Sequence, residues 1–262
     1  MTGDGVNDIL ALREADCAIS VASGSDAARN VSHLVLLDNN FNSLPKVVYE
    51  GRRVINNVKS SSSLFLMKTL FTLFMSIITL ALFEEYPFRL PHMIMTEVLV
   101  IGLPAFFLSF QPNSSRVDDT FIRDVIGKAL PGAILMFISV IILEILEHIL
   151  LFKVTPRMYS PEIFTALKVY SFTLAGTINL LLTCRPFNKF RATLFISCFV
   201  TILGVMIYLM FCGWGVDLIP IVPYDNYWHL LIIFSIFTIQ IPLAILLHFA
   251  TKSYKPKKKN KK

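Results

Sequence analysis

The most telling residues of this chain are its opening ones, Met1-Thr2-Gly3-Asp4-Gly5-Val6-Asn7-Asp8. Gly3 and Gly5 allow a tight turn with close backbone approach, which leaves Asp4 and Asp8 exposed at the turn and at the start of a helix. Two carboxylates four residues apart can hold a hard cation such as Mg²⁺, with phosphate oxygens as further ligands. The alternative is an acidic surface turn before a helix, since Asp and Asn are common turn and cap residues.

The other residues of the segment 1–60 alternate between predicted strands and helices. Residues 18–21 and 34–37 are short apolar runs that predict buried strands, and Ser25 is a suitable N-cap for a helix between them. An amphipathic helix is predicted from Asn42 onward, running into the apolar part of the chain. This alternation is typical of a parallel α/β sheet. Because about 60 residues bury too little surface for a stable domain, we expect this segment to be the end of a larger one.

Beyond residue 60 the chain is strongly apolar. Of its 262 residues, 55% are hydrophobic and 16% are charged, and the mean hydropathy of +0.64 is too high for one soluble domain. Six apolar segments lie within residues 61–250, each near the roughly 20 residues that a membrane-spanning helix needs. They are placed at residues 64–83, 92–110, 129–151, 163–183, 192–212 and 228–249. The predicted fold class is a mainly α membrane protein, with a partial α/β domain ahead of a six-helix transmembrane bundle.

The basic residues indicate how the spans are oriented. Lys and Arg are concentrated in alternate connecting segments and in a basic tail at residues 251–262, whereas Lys153, Arg157 and Lys168 are among the few on the opposite side. Cytoplasmic segments carry the excess of Lys and Arg, so both termini are predicted to be cytoplasmic, in a multi-pass protein of the cell membrane. The tail is interpreted as an anchor beside anionic lipid. Nucleic acid is not expected as a partner, because nothing aromatic or groove-sized accompanies the charge.

The motif at residues 2–8 resembles the hinge motif of the P-type (E1-E2) cation-transporting ATPases, the bacterial calcium pumps in particular. The resemblance covers most of the chain and continues in Ala11-Leu12, Ala15-Asp16, Ser23-Gly24-Ser25-Asp26-Ala27-Ala28, Glu50-Gly51-Arg52-Arg53 and Gly102-Leu103-Pro104-Ala105. It implies that residues 1–60 are the end of a haloacid-dehalogenase-like phosphorylation domain with its stalk helix. Residues 61–250 would then be the last six spans of such a pump.

The resemblance also implies roles for three residues of the opening motif. Asp4 and Asp8 would ligate Mg²⁺, Asn7 would contact the phosphoryl group, and Asp8 would in addition stabilise the site. ATP would be bound mainly by an N-terminal portion that is missing here. The family's nucleophile is the Asp of a DKTGT motif, and no such string occurs in these residues. Without that nucleophile no phosphoenzyme forms, so this chain alone is not expected to hydrolyse ATP.

Ionisable and polar residues at membrane depth are costly and are candidates for an ion pathway. Glu97 is the foremost of them and lies five residues before Gly102, where calcium pumps of this family carry an Asn ligand. Thr69 and Thr72 stand where those pumps carry Asn and Glu, and Lys68 is adjacent. These differences leave fewer anionic oxygens than a site for two calcium ions requires, so the identity of the cation stays open.

Two of the polar positions have a structural alternative. Lys68 either acts as a built-in counter-cation or pairs with Glu97 to fix helix packing. Asn179, together with Thr173 and Thr177, either completes the ion path or forms interhelical hydrogen bonds.

The sequence thus predicts the C-terminal part of an ATP-driven cation pump, with the Mg²⁺-binding hinge motif and the ion-pathway helices. Its partners would be the transported cation, calcium or another small cation, the lipid bilayer, and the missing N-terminal portion. One alternative is a non-enzymatic six-helix transporter component or a regulatory fragment of a split pump. Another, a membrane-tethered phosphatase of the same fold, would also need an Asp nucleophile that this sequence lacks.

Overall fold

The computed structural model describes residues 1–82, 85–117, 120–153, 161–185, 187–212 and 227–253. The chain divides into two compact units: Met1–Val54 with Ser114–Arg116, and Ile55–Asn113 with Val117–Lys262. Most of the basic tail predicted at residues 251–262 lies outside the described residues.

A parallel pair of strands forms the centre of the first unit. Strands β1 (Ile19–Val21) and β2 (Leu34–Leu36) pair in parallel, and helix α2 (Asp26–Val31) lies between them in the chain. The Ser25 hydroxyl caps α2 by accepting a hydrogen bond from the Ala28 N–H at 3.2 Å. The two predicted strands and the capped helix between them are therefore confirmed.

The opening residues extend this sheet on the other edge of β1. The Gly3 N–H donates to the Ile19 carbonyl at 3.0 Å, and the Ile19 N–H donates to the Met1 carbonyl at 2.9 Å. Residues 1–3 therefore run parallel to β1, and Asp4 follows directly at the carboxyl end of that pairing.

A short helix completes the first unit and gives it a small core. After a 3₁₀ turn at Val6–Asp8, helix α1 (Ile9–Glu14) buries Leu12 against Ala18 and Ala28. Val21 of β1 and Leu36 of β2 are buried as well.

Helix α3 (Leu44–Leu82) is continuous for 39 residues and follows a 3₁₀ turn at Phe41–Ser43. It contains the amphipathic helix predicted from Asn42 except for its first two residues, and residues 64–82 of the span predicted at 64–83, whose last residue lies outside the described ones. The boundary between the two units, after Val54, falls inside this helix.

Five helical stretches of the described residues are long and apolar enough to cross a membrane: Phe41–Leu82, Leu90–Ser109, Phe121–Ile149, Glu162–Thr183 and Lys189–Leu209. The last three belong to helices α6 (Phe121–Lys153), α7 (Pro161–Thr183) and α8 (Lys189–Cys212). The sixth predicted span, 228–249, lies in helix α9 (Tyr227–Ser253), of which the stretch Phe234–Phe249 counts only as a shorter apolar helix. The count of six spans therefore stays a prediction.

The second span is not one regular α-helix. It consists of a 3₁₀ turn at Leu90–Met93, helix α4 (Ile94–Thr96), a π-helical segment at Glu97–Gly102 and helix α5 (Leu103–Ser109). Pro104 has no N–H to donate to the preceding turn and its ring crowds a carbonyl there, which favours a wider turn. Single π-helical turns occur frequently at functional sites, and this one begins at Glu97.

Helix α7 is the most buried of the five candidate spans and forms the centre of the second unit. It packs against α6 and α9, and its Phe172 ring lies 4.6 Å from the Phe71 ring of α3, between centroids. From Lys168 onward, the polar side chains of α7 are therefore buried among other helices.

Lys168 corrects one part of the charge pattern. The pattern assigns it to an outer segment, and this is wrong because Lys168 lies in the first half of α7 with only 4% of its side chain exposed. Two carboxylates of α6 pair with it, which makes burial of the ammonium possible. When Lys168 is left out of the count, still fewer basic residues lie on the side predicted to face outward.

Candidate functional site

Residues 3–8 form a compact turn that one carboxylate holds together. Asp8 Oδ2 accepts hydrogen bonds from the backbone N–H groups of Asp4 and Gly5, both at 3.2 Å. The Asp4 side chain is exposed, and its carboxylate has no hydrogen bond or ion pair with any residue that the structure describes. Asp8 therefore shapes the turn, and Asp4 presents a free carboxylate at the carboxyl edge of the sheet.

Two glycines allow the close approaches that build this turn. A Cβ on Gly3 would lie 2.6 Å from Asp8 Cβ, and a Cβ on Gly24 would lie 3.0 Å from the Asp4 carbonyl oxygen. The Ser25 N–H donates to that same carbonyl at 2.8 Å. The loop is thus fixed by Asp8 from within and by the residues that follow β1.

A second turn at the same edge follows β2. Asp38 accepts hydrogen bonds from the Ser43 hydroxyl and the Asn40 N–H, and these bonds hold the pKa of Asp38 below its usual value. Asn39 adopts a φ of 54°, and its Oδ1 accepts a hydrogen bond from the Ser23 N–H at 2.8 Å. The loops after β1 and β2 are therefore tied together beside the opening turn.

The oxygen atoms of the opening turn fit Mg²⁺. This ion is usually bound by one or two carboxylates together with phosphate oxygens and water. The Asp4 carboxylate is free. In Asp8, only Oδ2 accepts the two hydrogen bonds of the turn, and Oδ1 is not used in them. Within the described part of the chain, no group of three or more His, Cys, Asp or Glu side chains could hold a metal ion. An ion at this turn would therefore take its remaining ligands from phosphate and water.

Two of the ion-pathway candidates lie together, Lys68 on α3 and Glu97 at the start of the π-helical segment. Lys68 forms an ion pair with Glu97, a contact that both sequence hypotheses for Lys68 require. The Thr69 hydroxyl donates to the Phe65 carbonyl at 3.1 Å, and the Thr72 hydroxyl donates to the Thr69 carbonyl at 2.9 Å. Hydroxyls that donate within their own helix keep acceptor lone pairs. The contact of Lys68 with Glu97 thus offers one carboxylate, already paired with an ammonium, while Thr69 is an exposed side chain of α3.

Asn179 is buried in the second unit, where no described residue bonds to its amide. It is 1% exposed, and neither atom of its amide has a hydrogen-bond partner among the described residues. Its side chain lies against α6 at Gly132, where a Cβ would be 2.4 Å from Asn179 Cγ and 2.7 Å from the Met67 sulfur. An unsatisfied buried amide costs about 1–3 kcal/mol, so its role as an interhelical hydrogen bond is not realised within these residues.

Thr173 and Thr177, the two threonines predicted to act with Asn179, differ in their hydrogen bonds. The Thr173 hydroxyl lies 2.8 Å from the Thr96 hydroxyl, which confirms an interhelical hydrogen bond for Thr173. The Thr177 hydroxyl donates to the Leu174 carbonyl of its own helix at 2.7 Å, and its interhelical bond stays a prediction.

Sequence reasoning missed a buried ion-pair triad. The Lys168 ammonium lies 2.6 Å from Glu144 Oε2 and 2.5 Å from Glu147 Oε2. The available signal was the spacing of the two glutamates, which places them on one face of a helix inside an apolar segment. Two carboxylates in such a place need an internal cation.

Comparison with known proteins places these features in a family. The chain is 36% identical over 204 residues to the probable cation-transporting ATPase exp7 of Streptococcus pneumoniae. The aligned region covers 75% of this chain and 25% of that protein. It is 42% identical over 146 residues to the calcium-transporting ATPase CtpE of Mycolicibacterium smegmatis, with 52% of this chain and 18% of that protein covered. The chain belongs to the family of P-type cation-transporting ATPases. No family model matches it.

Membership of the P-type ATPase family confirms the resemblance drawn from residues 2–8 and the stretches that follow. The chain spans a quarter or less of the length of the P-type ATPases it matches. Together with the five apolar helices, the relationship indicates a multi-pass membrane protein.

Proposed function

We propose that the chain is the C-terminal part of an ATP-driven, cation-translocating P-type ATPase of the cell membrane, with both termini in the cytoplasm. The observation that carries the proposal is the free Asp4 carboxylate at the carboxyl edge of a parallel sheet. The backbone of Asp4 is held there by a hydrogen bond from its N–H to Asp8. In open α/β sheets, ligands bind beyond the carboxyl ends of the strands. The sheet of the first unit would then be the end of a haloacid-dehalogenase-like phosphorylation domain.

In this proposal the residues of the opening turn support phosphoryl transfer. Asp4 and Asp8 would hold Mg²⁺, which neutralises charge on the phosphoryl oxygens. Asp8 accepts hydrogen bonds from the backbone N–H groups of Asp4 and Gly5, and the exposed Asp4 carboxylate is not used in these bonds. The exposed Asn7 amide would donate a hydrogen bond to a phosphoryl oxygen. The attacking carboxylate and most of the ATP site would come from residues outside this sequence.

The second unit would supply part of the cation path. Helix α3 is unbroken from Leu44 to Leu82, so a movement of the phosphorylation domain would act directly on Lys68 and Thr72. The π-helical segment places Glu97 beside Lys68, and Asn179 would add an unengaged amide oxygen from α7. The change in cation affinity would therefore originate at the contact between Lys68 and Glu97.

The transported ion would be calcium or another small cation. The name of the relative CtpE, a calcium-transporting ATPase, favours calcium. The pairing of Lys68 with Glu97 favours a site of low net negative charge, because the ammonium already neutralises the carboxylate. A divalent ion that used Glu97 would first have to displace Lys68.

Phosphoenzyme formation by the complete pump tests the proposal. In the full-length protein in membrane vesicles, Asp4→Asn should abolish Mg²⁺-dependent phosphorylation by ATP, because the free carboxylate of the site is lost. Glu14→Gln is the matched control, since Glu14 is an exposed carboxylate of α1 in the same unit. Normal phosphoenzyme levels in the Asp4→Asn protein would contradict the assignment.

A further inference from the structure

Helix α7 contacts the π-helical region of the second span at two points, one on either side of Glu97 in the chain. Just before Glu97, the Thr96 hydroxyl lies 2.8 Å from the Thr173 hydroxyl of α7. Three residues after Glu97, Val100 lies beside Gly176 of α7, where a Cβ would be 3.0 Å from Val100 Cγ1. The π-helical segment therefore packs on α7 with the face that carries Thr96 and Val100.

The direction of the hydrogen bond between the two threonines follows from a second bond. A threonine hydroxyl has one proton to donate, and Thr173 donates its proton to the Val169 carbonyl of α7 at 2.8 Å. Thr96 is therefore the donor and Thr173 the acceptor. Both side chains are buried, and among the described residues the Thr96 hydroxyl has no other partner. Replacing the acceptor would leave a buried hydroxyl without its hydrogen bond, which is costly.

Gly176 allows the π-helical segment to come close to α7. A Cβ on Gly176 would lie 2.7 Å from Met136 Cε and 3.0 Å from Val100 Cγ1, and both contacts would be too tight. Met136 is unbranched, so the end of its side chain can move aside. Val100 is fully buried and β-branched, so its side chain has few other rotamers. A methyl group at residue 176 would therefore displace the π-helical segment at Val100.

The π-helical turn decides where Glu97 lies. The Leu103 N–H donates to the Val98 carbonyl, five residues back, so this turn holds one residue more than an α-helical turn. If it closed into an α-helical turn, the residues before it would rotate relative to those after it by about 100°, the rotation of one residue in an α-helix. Glu97 would then lose its contact with Lys68.

We propose that Thr173 and Gly176 are positioning residues that hold the π-helical turn open. Through this turn they keep Glu97 in its place beside Lys68. Each acts through its neighbour in the second span rather than on the cation itself. Helix α7 is the most buried of the candidate spans, which suits it as the fixed surface for the turn. The effect on cation affinity rests on the proposed function, in which Glu97 lies on the cation path.

Labelling of a cysteine before the turn tests the positioning role without any transport. Met95 is 3% exposed, so Met95→Cys should react slowly with a small maleimide in the full-length protein in detergent. Adding Thr173→Val or Gly176→Ala should speed the reaction at residue 95 about three-fold, the effect of losing one interhelical contact in a membrane protein. The native Cys198 of α8, 7% exposed, is the internal reference, because general loosening of the bundle would raise its reaction as well.

Cation activation of the full-length pump gives the functional measurement. Thr173→Val should raise the cation concentration that half-activates ATP hydrolysis about three-fold at an unchanged maximal rate, because Glu97 is no longer held in place. Thr173→Ser keeps the acceptor hydroxyl and should match the parent protein. Two controls on α8 should leave the concentration unchanged. Thr201→Val removes an exposed hydroxyl that bonds within its own helix at 2.8 Å, and Gly204→Ala adds a methyl group that meets nothing within 4 Å.

The two measurements separate failure of the positioning role from failure of the proposed function. Unchanged labelling at residue 95 in Thr173→Val would overturn the positioning role, and a loss of cation affinity beside it would make Thr173 a direct ligand. Equal rises at residue 95 and at Cys198 would show general loosening and would overturn it too. A parent pump without cation-activated ATP hydrolysis would overturn the proposed function and the link to affinity, whereas the labelling would still decide whether α7 holds the turn.

Discussion

The Lys168 ammonium nitrogen lies 2.5 Å from Glu147 Oε2 and so joins α7 to α6 inside the bundle. Glu144 contacts the same nitrogen from one helical turn away, at 2.6 Å. The Lys168 side chain is 4% exposed, and those of Glu144 and Glu147 are 19% and 14% exposed. Two largely buried carboxylates therefore depend on one ammonium.

Replacing that ammonium should destabilise the protein strongly. Lys168→Met would leave two carboxylates without a counter-charge, and breaking a buried pair in this way costs about 3–5 kcal/mol. Thermal unfolding in detergent measures the loss. The combined replacement Lys168→Met, Glu144→Gln and Glu147→Gln should recover most of it. Lys189→Met, at an exposed position, is the control, and an equal melting temperature for the two single variants would disprove the dependence.

Two glycines of α6 should respond in opposite directions to the same change. A Cβ on Gly132 would lie 2.4 Å from Asn179 Cγ, whereas a Cβ on Gly127 would meet nothing within 4 Å. Gly132→Ala should therefore destabilise the protein by about 1–3 kcal/mol through overpacking. Gly127→Ala should stabilise it by up to about 1 kcal/mol, because alanine is the better helix former.

Asn179→Ala identifies the source of the strain at Gly132. Combined with Gly132→Ala, it removes one of the two side chains that the new methyl group meets, the other being Met67, so the double variant should be more stable than Gly132→Ala alone. Additive effects of the two replacements in thermal unfolding would mean that Gly132 and Asn179 are not in contact.

Gly3→Ala should impair phosphorylation without removing any chemical group. The new Cβ would lie 2.6 Å from Asp8 Cβ, so Asp8 would have to move and release the N–H groups of Asp4 and Gly5. In the full-length pump we expect the Mg²⁺ concentration for half-maximal phosphorylation to rise several-fold. Gly51→Ala is the control, since a Cβ there meets nothing within 4 Å. An unchanged Mg²⁺ dependence in Gly3→Ala would show that the turn does not position the ion.

Lys68→Gln should strengthen cation binding at Glu97 by several-fold. Without the ammonium, the Glu97 carboxylate becomes available to the transported ion. The full negative charge of Glu97 then attracts the cation. The measurement is the cation concentration that half-activates ATP hydrolysis by the full-length pump. Lys46→Gln, at an exposed position of the same helix, should leave that concentration unchanged. A weaker affinity in Lys68→Gln would mean that Lys68 positions the site rather than competes for it.

Several elements were predictable because their signals are local. The strands at Ile19–Val21 and Leu34–Leu36 are short apolar runs, and Ser25 carries the side chain that a helix N-cap needs. The long apolar stretches predict spans because a bilayer tolerates little else at that length. The π-helical turn at Glu97–Gly102 was not predicted, although Pro104 is a local reason for it.

Hydrophobic pattern and short motifs were thus sufficient for the two strands, five of the apolar spans and the family, since each depends on neighbours within a few turns of chain. The surroundings of Lys168 and Asn179 depended on which helix faces meet. Lys168 looks like an outer-loop residue in a charge pattern, yet it is buried because α6 places Glu144 and Glu147 beside it. Asn179 fits between helices because α6 has a glycine at residue 132. Such contacts join residues far apart in the chain, and only the packed bundle brings them within hydrogen-bonding distance or van der Waals contact.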